Sequence, residues 1–193
     1  APTDLSGNSP DPDQRPHVIN NSWGCPTSEG CAPNTLKLIV ENTQAAGIFV
    51  EASAGNSGPG CSSINDAPGM YGAAFSTVAI DSSNRLVGFS SRGPVTADGS
   101  SRSKPDLSAP GSRVRSSVPG GRYSLMSGTS MAGPHVVGVV ALLWSARPEY
   151  VRQIAASQQL LRASANPSVS VRTEVCGGLS SDFVPNNSFG FGR

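Results

Sequence analysis

The sequence predicts an α/β fold built on a mostly parallel sheet. Two observations carry this: a β-rich run, a capped amphipathic helix and a second β-rich run follow one another over residues 17–58, and each change of periodicity falls at a turn signal. The third observation is size. At 193 residues, 37% hydrophobic and 14% charged, the chain is long enough for one domain with a sizeable core and too short for two, so residues 1–193 read as one unit.

The elements follow in order. Ala1 to Pro16 is a polar lead-in of Pro, Asp, Ser and Asn. His17 to Trp23 passes from apolar to polar, as a strand does on entering a turn, here at Gly24. Asn34 or Thr35 caps a helix through Ala46, with Leu36, Ile39, Val40 and Thr43 on one face and Gly47 to stop it. Ile48, Phe49 and Val50 start the second strand, which ends in the small, polar run Ala52 to Gly58. A third β-rich run, Phe75 to Ile80, follows a Pro/Gly loop containing Ala67-Pro68-Gly69. Residues 81–123 are turn-rich, with short strands between the turns. A helix then spans about Ser130 to Ser145, with Pro148 marking its end, and a second spans Glu149 to about Ala163 with Tyr150, Ile154, Leu160 and Leu161 partly buried. Beyond Ala165 the Asn-, Ser- and Gly-rich tail gives a weak structural signal.

Composition removes several classes of function. Lys+Arg 14 against Asp+Glu 13 gives a net charge of +1, and no basic run is interleaved with aromatics, so nucleic acid is not an expected partner. The longest apolar stretch, Val136 to Trp144, is interrupted by Gly138 and is far shorter than the ~20 residues of a membrane span, so it reads as a buried helix and no membrane is expected. Ala1 to Pro16 has neither the charged start nor the apolar middle of a signal peptide, which implies that any export signal has been removed. Four cysteines, two lysines (Lys37 and Lys104) and abundant Gly, Ser, Asn and Pro suit a secreted protein, extracellular or periplasmic.

Four cysteines allow three pairings, and sequence does not choose among them. Cys25 and Cys31 bracket a polar loop that a disulfide would close, leaving Cys61 and Cys176 as a second pair. A zinc site is the alternative, disfavoured because no close C-x-x-C spacing occurs and neither histidine lies near a cysteine.

The chemistry concentrates in Gly128-Thr129-Ser130-Met131-Ala132-Gly133-Pro134-His135-Val136. Ser130 stands where a helix begins, and Pro134 falls in the first turns, where a missing N–H disturbs the ladder least. Helix-terminal N–H groups and the positive dipole end favour the negative charge that acyl transfer develops on a carbonyl oxygen. An isolated serine in this place is by default an N-cap. Its surroundings reverse that default, because the whole run resembles the nucleophile signature of the subtilisin family, G-T-S-M-A-x-P-H-V, at every fixed position.

Three more segments resemble the same family in the same order. Val18 to Gly24 is similar to the strand whose end lines the substrate cleft, which implies that Ser22, Trp23 and Gly24 bind substrate. Ser53-Ala54-Gly55-Asn56-Ser57-Gly58 is similar to the segment that walls the S1 pocket, the subsite for the P1 side chain before the scissile bond, and supplies the oxyanion-hole asparagine. That implies substrate contact by Ser53, Ala54 and Gly55 and oxyanion binding by Asn56, which by itself would be a turn residue beside glycine. Thr129 either supports the oxyanion hole through its hydroxyl or caps the helix. Phe89 to Pro94 and Lys104 to Gly111 resemble scaffold motifs without a catalytic role. Around His17 to Gly24, the Cys25–Cys31 loop and Pro119 to Gly121, the likeness is to the bacillopeptidase F-type branch.

The resemblance implies a subtilisin-like three-layer α/β fold, here incomplete at its amino-terminal side, and a serine endopeptidase acting on polypeptide through an acyl-enzyme on Ser130. It also exposes a gap. A serine needs a base to take its proton, and the base needs a carboxylate to orient it. The family's Asp and H-G-T-H-like motifs precede this region, and neither occurs in the chain; His135 matches the family's structural histidine and His17 matches no catalytic motif. The expectation is therefore an inactive chain until an amino-terminal fragment of the same enzyme, or a second copy, supplies the rest and covers an open sheet edge. A peptide-binding pseudoprotease is the alternative; an esterase elbow is not, because Gly128 to Ala132 lacks the second Gly of G-x-S-x-G. No cofactor is required for the chemistry. The family often holds structural calcium, and Ala67 to Tyr71 resembles a cation loop around a cis Ala67-Pro68 bond.

Overall fold

The computed structural model describes residues 2–193. Four parallel strands form the central sheet in the order β1 (Val18–Asn21), β2 (Phe49–Ser53), β3 (Phe75–Ile80) and β4 (Leu107–Pro110). Helix α1 (Lys37–Ala45) connects β1 to β2. A hairpin of β5 (Val114–Val118) and β6 (Arg122–Met126) follows, then helices α2 (Thr129–Ala146) and α3 (Ile154–Ser164), and the short pair β7 (Val175–Cys176) and β8 (Leu179–Ser180).

Alternation along the strands divides the core into two layers. Phe49 of β2 and Phe75 and Ala79 of β3 point to one face, where they meet Ala132, Val136, Val140 and Trp144 of α2 and Leu161 of α3. Val50, Ala52, Val78 and Ile80 point to the other, against Val40 of α1 and the loop residues Ile64, Met70 and Tyr71. The parity has a consequence at Glu51, which shares the α2-facing side of β2 and is fully buried there.

Several boundaries move for local reasons. Thr35 caps no helix: its hydroxyl accepts from the Ala32 N–H at 2.8 Å, which makes a turn and delays α1 to Lys37. On α1 only Val40 is buried, and Ile39 is 62% exposed. The second carboxy-terminal helix splits into a 3-10 turn, Pro148–Tyr150, and α3, separated by Arg152 at φ 63. Val136 to Trp144 is not a buried helix. Thr129–Ala146 is long and apolar enough by length and composition to cross a membrane, but its inner residues pack on all four strands while Val139 and Leu142, 50% and 72% exposed, face out.

The tail, whose sequence signal is weak, is held by side-chain-to-backbone bonds. Asn186 Oδ1 accepts from the N–H groups of Ser188 and Phe189, and the Asn187 amide donates to the Cys176 carbonyl. All four cysteines are paired, Cys25–Cys31 and Cys61–Cys176, so the zinc alternative fails. The second bridge spans 115 residues and ties the tail to the loop after β2.

Candidate functional site

Helix α2 begins where β1 and β2 end. Parallel strands deliver Ser22-Trp23-Gly24 and Ser53-Ala54-Gly55 side by side at the carboxyl edge of the sheet, where open α/β folds place their ligands. The first turn of α2 is bonded to both strand ends. Ser22 Oγ donates to the Ser130 carbonyl at 3.0 Å, and the Gly55 N–H donates to Thr129 Oγ1 at 3.2 Å. Gly55 has φ +103, and a Cβ on it would come within 2.9 Å of Ser91 Oγ, so this close approach requires glycine.

Asn56 is oriented by the helix start. The Thr129 N–H and hydroxyl both donate to Asn56 Oδ1, at 2.9 and 3.1 Å. With its oxygen taken twice, the amide has one orientation, and Nδ2 has no acceptor among the described residues. The Ser130 N–H, in the first turn, likewise lacks an intrahelical acceptor. These two donors and the helix amino terminus share one cleft with Ser130, whose Oγ is partly buried and donates only a long bond, 3.4 Å, to the Ser22 carbonyl. Gly128 occupies the cap position and no side chain caps α2, so neither Thr129 nor Ser130 is an N-cap. Fully buried, Thr129 spends its hydroxyl between Gly55 and Asn56.

All nine residues singled out by the sequence, Ser22, Trp23, Gly24, Ser53, Ala54, Gly55, Asn56, Thr129 and Ser130, line one cleft of about 280 Å³. A larger cavity, about 380 Å³, lies between β4, α2 and α3, is mainly apolar, and contains none of them.

Neither histidine serves Ser130. His135 is exposed with Nδ1 bonded to the Met131 carbonyl at 2.9 Å, and His17 stacks edge-on against Trp144 before β1 begins, the opposite end of the strand from Ser22. Among the described residues no group of three or more His, Cys, Asp or Glu could hold a metal. The Ala67–Pro68 bond is cis; Ala67 O accepts from the Cys25 N–H, Pro68 O from the Tyr71 N–H, and Met70 O from the Arg102 guanidinium at 2.6 Å, while the Gly69 carbonyl accepts no hydrogen bond among the described residues.

Two acidic residues escaped the sequence reading. Asp66 lines the cleft and is its one charged residue. Glu51 lies beneath the first turns of α2, where Gly133 leaves room for its carboxyl, and neither carboxyl oxygen has a hydrogen-bond partner among the described residues. Burial pushes its pKa up to about 8, so the group is neutral in the folded protein at moderate pH. Period-2 alternation alone would have placed position 51 on the α2 face; nothing in sequence marks Asp66 as sharing a cleft with Ser130, 64 residues on.

Known proteins place this arrangement in a class. The model of the Subtilase family matches residues 4–192, and the chain belongs to that family. It is 39% identical to Bacillopeptidase F of Bacillus subtilis (strain 168) over its whole length, covering 12% of that protein. Subtilisin E of the same organism is 40% identical over 69% of the chain, which covers 32% of it. Among solved structures, Sphericase superposes with TM-score 0.72 at 28% identity and the S41 psychrophilic protease with 0.71 at 30%; each match covers 91% of this chain and 55% of the other. The α/β fold is therefore the subtilisin-like one, and the chain spans about an eighth to a third of the curated relatives named here and just over half of the solved ones.

Proposed function

We propose that the chain carries the nucleophile half of a serine endopeptidase. The observation that carries this is the Asn56 amide, turned by Thr129 so that Nδ2 stands free beside Ser130. An extended peptide lies between Ser22-Trp23-Gly24 and Ser53-Ala54-Gly55, pairing with their backbones as an added strand. Ser130 Oγ attacks the scissile carbonyl carbon and gives its proton to a base; Asn56 Nδ2 and the Ser130 N–H hold the oxyanion; the amine leaves with that proton, and water then hydrolyses the acyl-enzyme. No cofactor takes part.

The base and its orienting carboxylate are groups outside residues 1–193, carried by an amino-terminal part of the same enzyme. The remote positions of His17 and His135 support this, as do the unpaired outer edge of β1 and the exposed apolar face of α2. By itself the chain has negligible peptidase activity. Two disulfides favour an oxidising location, extracellular or periplasmic.

The test is peptide hydrolysis by the protein combined with the catalytic Asp and His elements, with mass spectrometry of the trapped intermediate. An acyl adduct on Ser130, and loss of turnover in Ser130→Ala, are expected. Undiminished hydrolysis by Ser130→Ala overturns the assignment. Binding of peptide with no turnover in the combined protein would instead favour a peptide-binding pseudoprotease, the reading supported by the absence of a histidine at Ser130.

A further inference from the structure

We infer that Asp66 makes this cleft selective for peptides with arginine or lysine at P1, an inference that rests on the peptidase reading of the same site. The carboxylate lines the cleft that holds Ser130 and Asn56, and no other charged residue does. Beyond the nucleophile and the oxyanion donors, one side of the lining is the small residues Ser53, Ala54 and Gly55, and the other is Gly24 flanked by Trp23 and Pro26. Such walls accept a long side chain and offer its cationic end one counter-charge.

The carboxylate is held in place by its backbone. The Cys25 N–H donates to the Ala67 carbonyl at 2.9 Å and the Met70 N–H to the Asp66 carbonyl at 3.1 Å, so the wall bearing Asp66 is joined to the segment that follows Gly24. The Cys25–Cys31 disulfide anchors that segment in turn. A Cβ on Gly24 would stand 3.3 Å from Asp66 Cβ and 3.7 Å from Oδ2; glycine keeps open the space beside the carboxylate.

The pairing pattern points the same way. Four other acidic side chains at least partly shielded from solvent carry a cation: Asp81 has Arg85, Asp98 has Arg102, Asp106 has Lys104 and Arg162, and Glu174 has Arg92; Glu51, buried with no cation, is closed off beneath α2 and out of reach of a ligand. Asp66 is partly buried, yet among the described residues it has neither an ion pair nor a side-chain hydrogen bond. A partly dehydrated carboxylate without a partner, in a cleft, attracts a cation from solution. A guanidinium meets a carboxylate through two parallel hydrogen bonds and an ammonium through a point contact, so arginine is preferred to lysine.

The experiment titrates the full chain with p-aminobenzamidine, followed by its fluorescence, and with the neutral isostere 4-aminobenzamide. Saturable amidine binding is expected, weakened about tenfold to hundredfold by Asp66→Asn and by raised salt, and retained by Asp66→Glu. The neutral compound binds weakly and equally to all three proteins. Circular dichroism identifies a variant that fails to fold, and in that case the comparison of the two compounds on the unmodified chain decides. Amidine binding that is absent, unchanged in folded Asp66→Asn, or no tighter than amide binding overturns the inference. In the combined, active protein, the ratio of kcat/KM for P1 arginine over P1 leucine falls at least tenfold in Asp66→Asn. Cleavage without that fall removes Asp66 and leaves the peptidase reading intact, whereas amidine selectivity without any cleavage does the reverse.

Discussion

The two edges of the parallel sheet are finished differently. At β4 the carboxy-terminal tail closes the edge: the Ser108 N–H donates to the Gly192 carbonyl at 2.7 Å, its hydroxyl to the same oxygen at 2.8 Å, and the Phe191 N–H to the Asp106 carbonyl at 3.0 Å. Behind that edge Asp106 takes Lys104 and Arg162 together. At β1 the outer edge pairs with nothing among the described residues, and beside it α2 shows Val139 and Leu142 to solvent. One edge is sealed by the chain itself; the other is a row of free donors and acceptors next to an apolar surface, the arrangement that accepts another strand and helix. On the proposed reading the oxyanion donors lie between the two edges, and no histidine among the described residues serves as the base. On that reading, whatever covers the open edge also brings the base.

The strongest way to break this comparison is to fill the open edge. Adding a polypeptide with the Asp- and His-bearing elements is expected to raise peptide hydrolysis by on the order of 10⁴-fold or more, and Leu142→Glu on the solvent-exposed face of α2 to weaken that association about tenfold or more, read by titrating activity against added fragment. Within the combined protein, Asn56→Ala is expected to lower kcat by ~10²–10³, a magnitude that is subtilisin's own for such a donor and is carried over from that relative. Thr129→Val removes the hydroxyl that turns the Asn56 amide and leaves the helix N–H bond, so a smaller fall, roughly five- to tenfold in kcat with KM little changed, is expected.

The smallest effect on activity, and the sharpest on stability, concerns Glu51. Folded, it keeps a proton up to a pKa of about 8, whereas an unfolded glutamate releases it near its ordinary value of 4.5. Stability from this group is therefore greatest at low pH and falls as pH rises between those values, by at most about 5 kcal/mol. Thermal or urea unfolding between pH 4.5 and 8 is expected to show that slope and Glu51→Gln to flatten it. Asp106 behaves oppositely: Lys104 and Arg162 outweigh burial and hold its pKa below the usual carboxylate value, so its contribution is lost in acid.

Much of this was legible in the sequence. The strand–helix–strand succession and the helix at Ser130 arise from local periodicity and turn residues, and a nine-residue motif singled out Ser130, which the structure sets in one cleft with Asn56. What escaped depended on distant partners. Thr35 has the chemistry of a helix cap, but Ala32 claims it. Val136 to Trp144 has the composition of a buried helix, and burial on its outer face depends on what packs there rather than on the helix. Asp66 acquires meaning only when the loop after β2 folds against Gly24, and the tail only when Asn186 and Asn187 find backbone groups. Asn56 was identifiable, but the reason for its orientation was not, because it lies in two hydrogen bonds that cross 73 residues.

The most direct measurement is labelling of Ser130 by a fluorophosphonate, which requires an activated hydroxyl. The chain alone should remain unlabelled over hours, and the chain combined with the Asp- and His-bearing polypeptide should be labelled stoichiometrically at Ser130. Rapid labelling of Ser130 in the isolated chain, or none in the combined protein, would contradict the division of the active site described here.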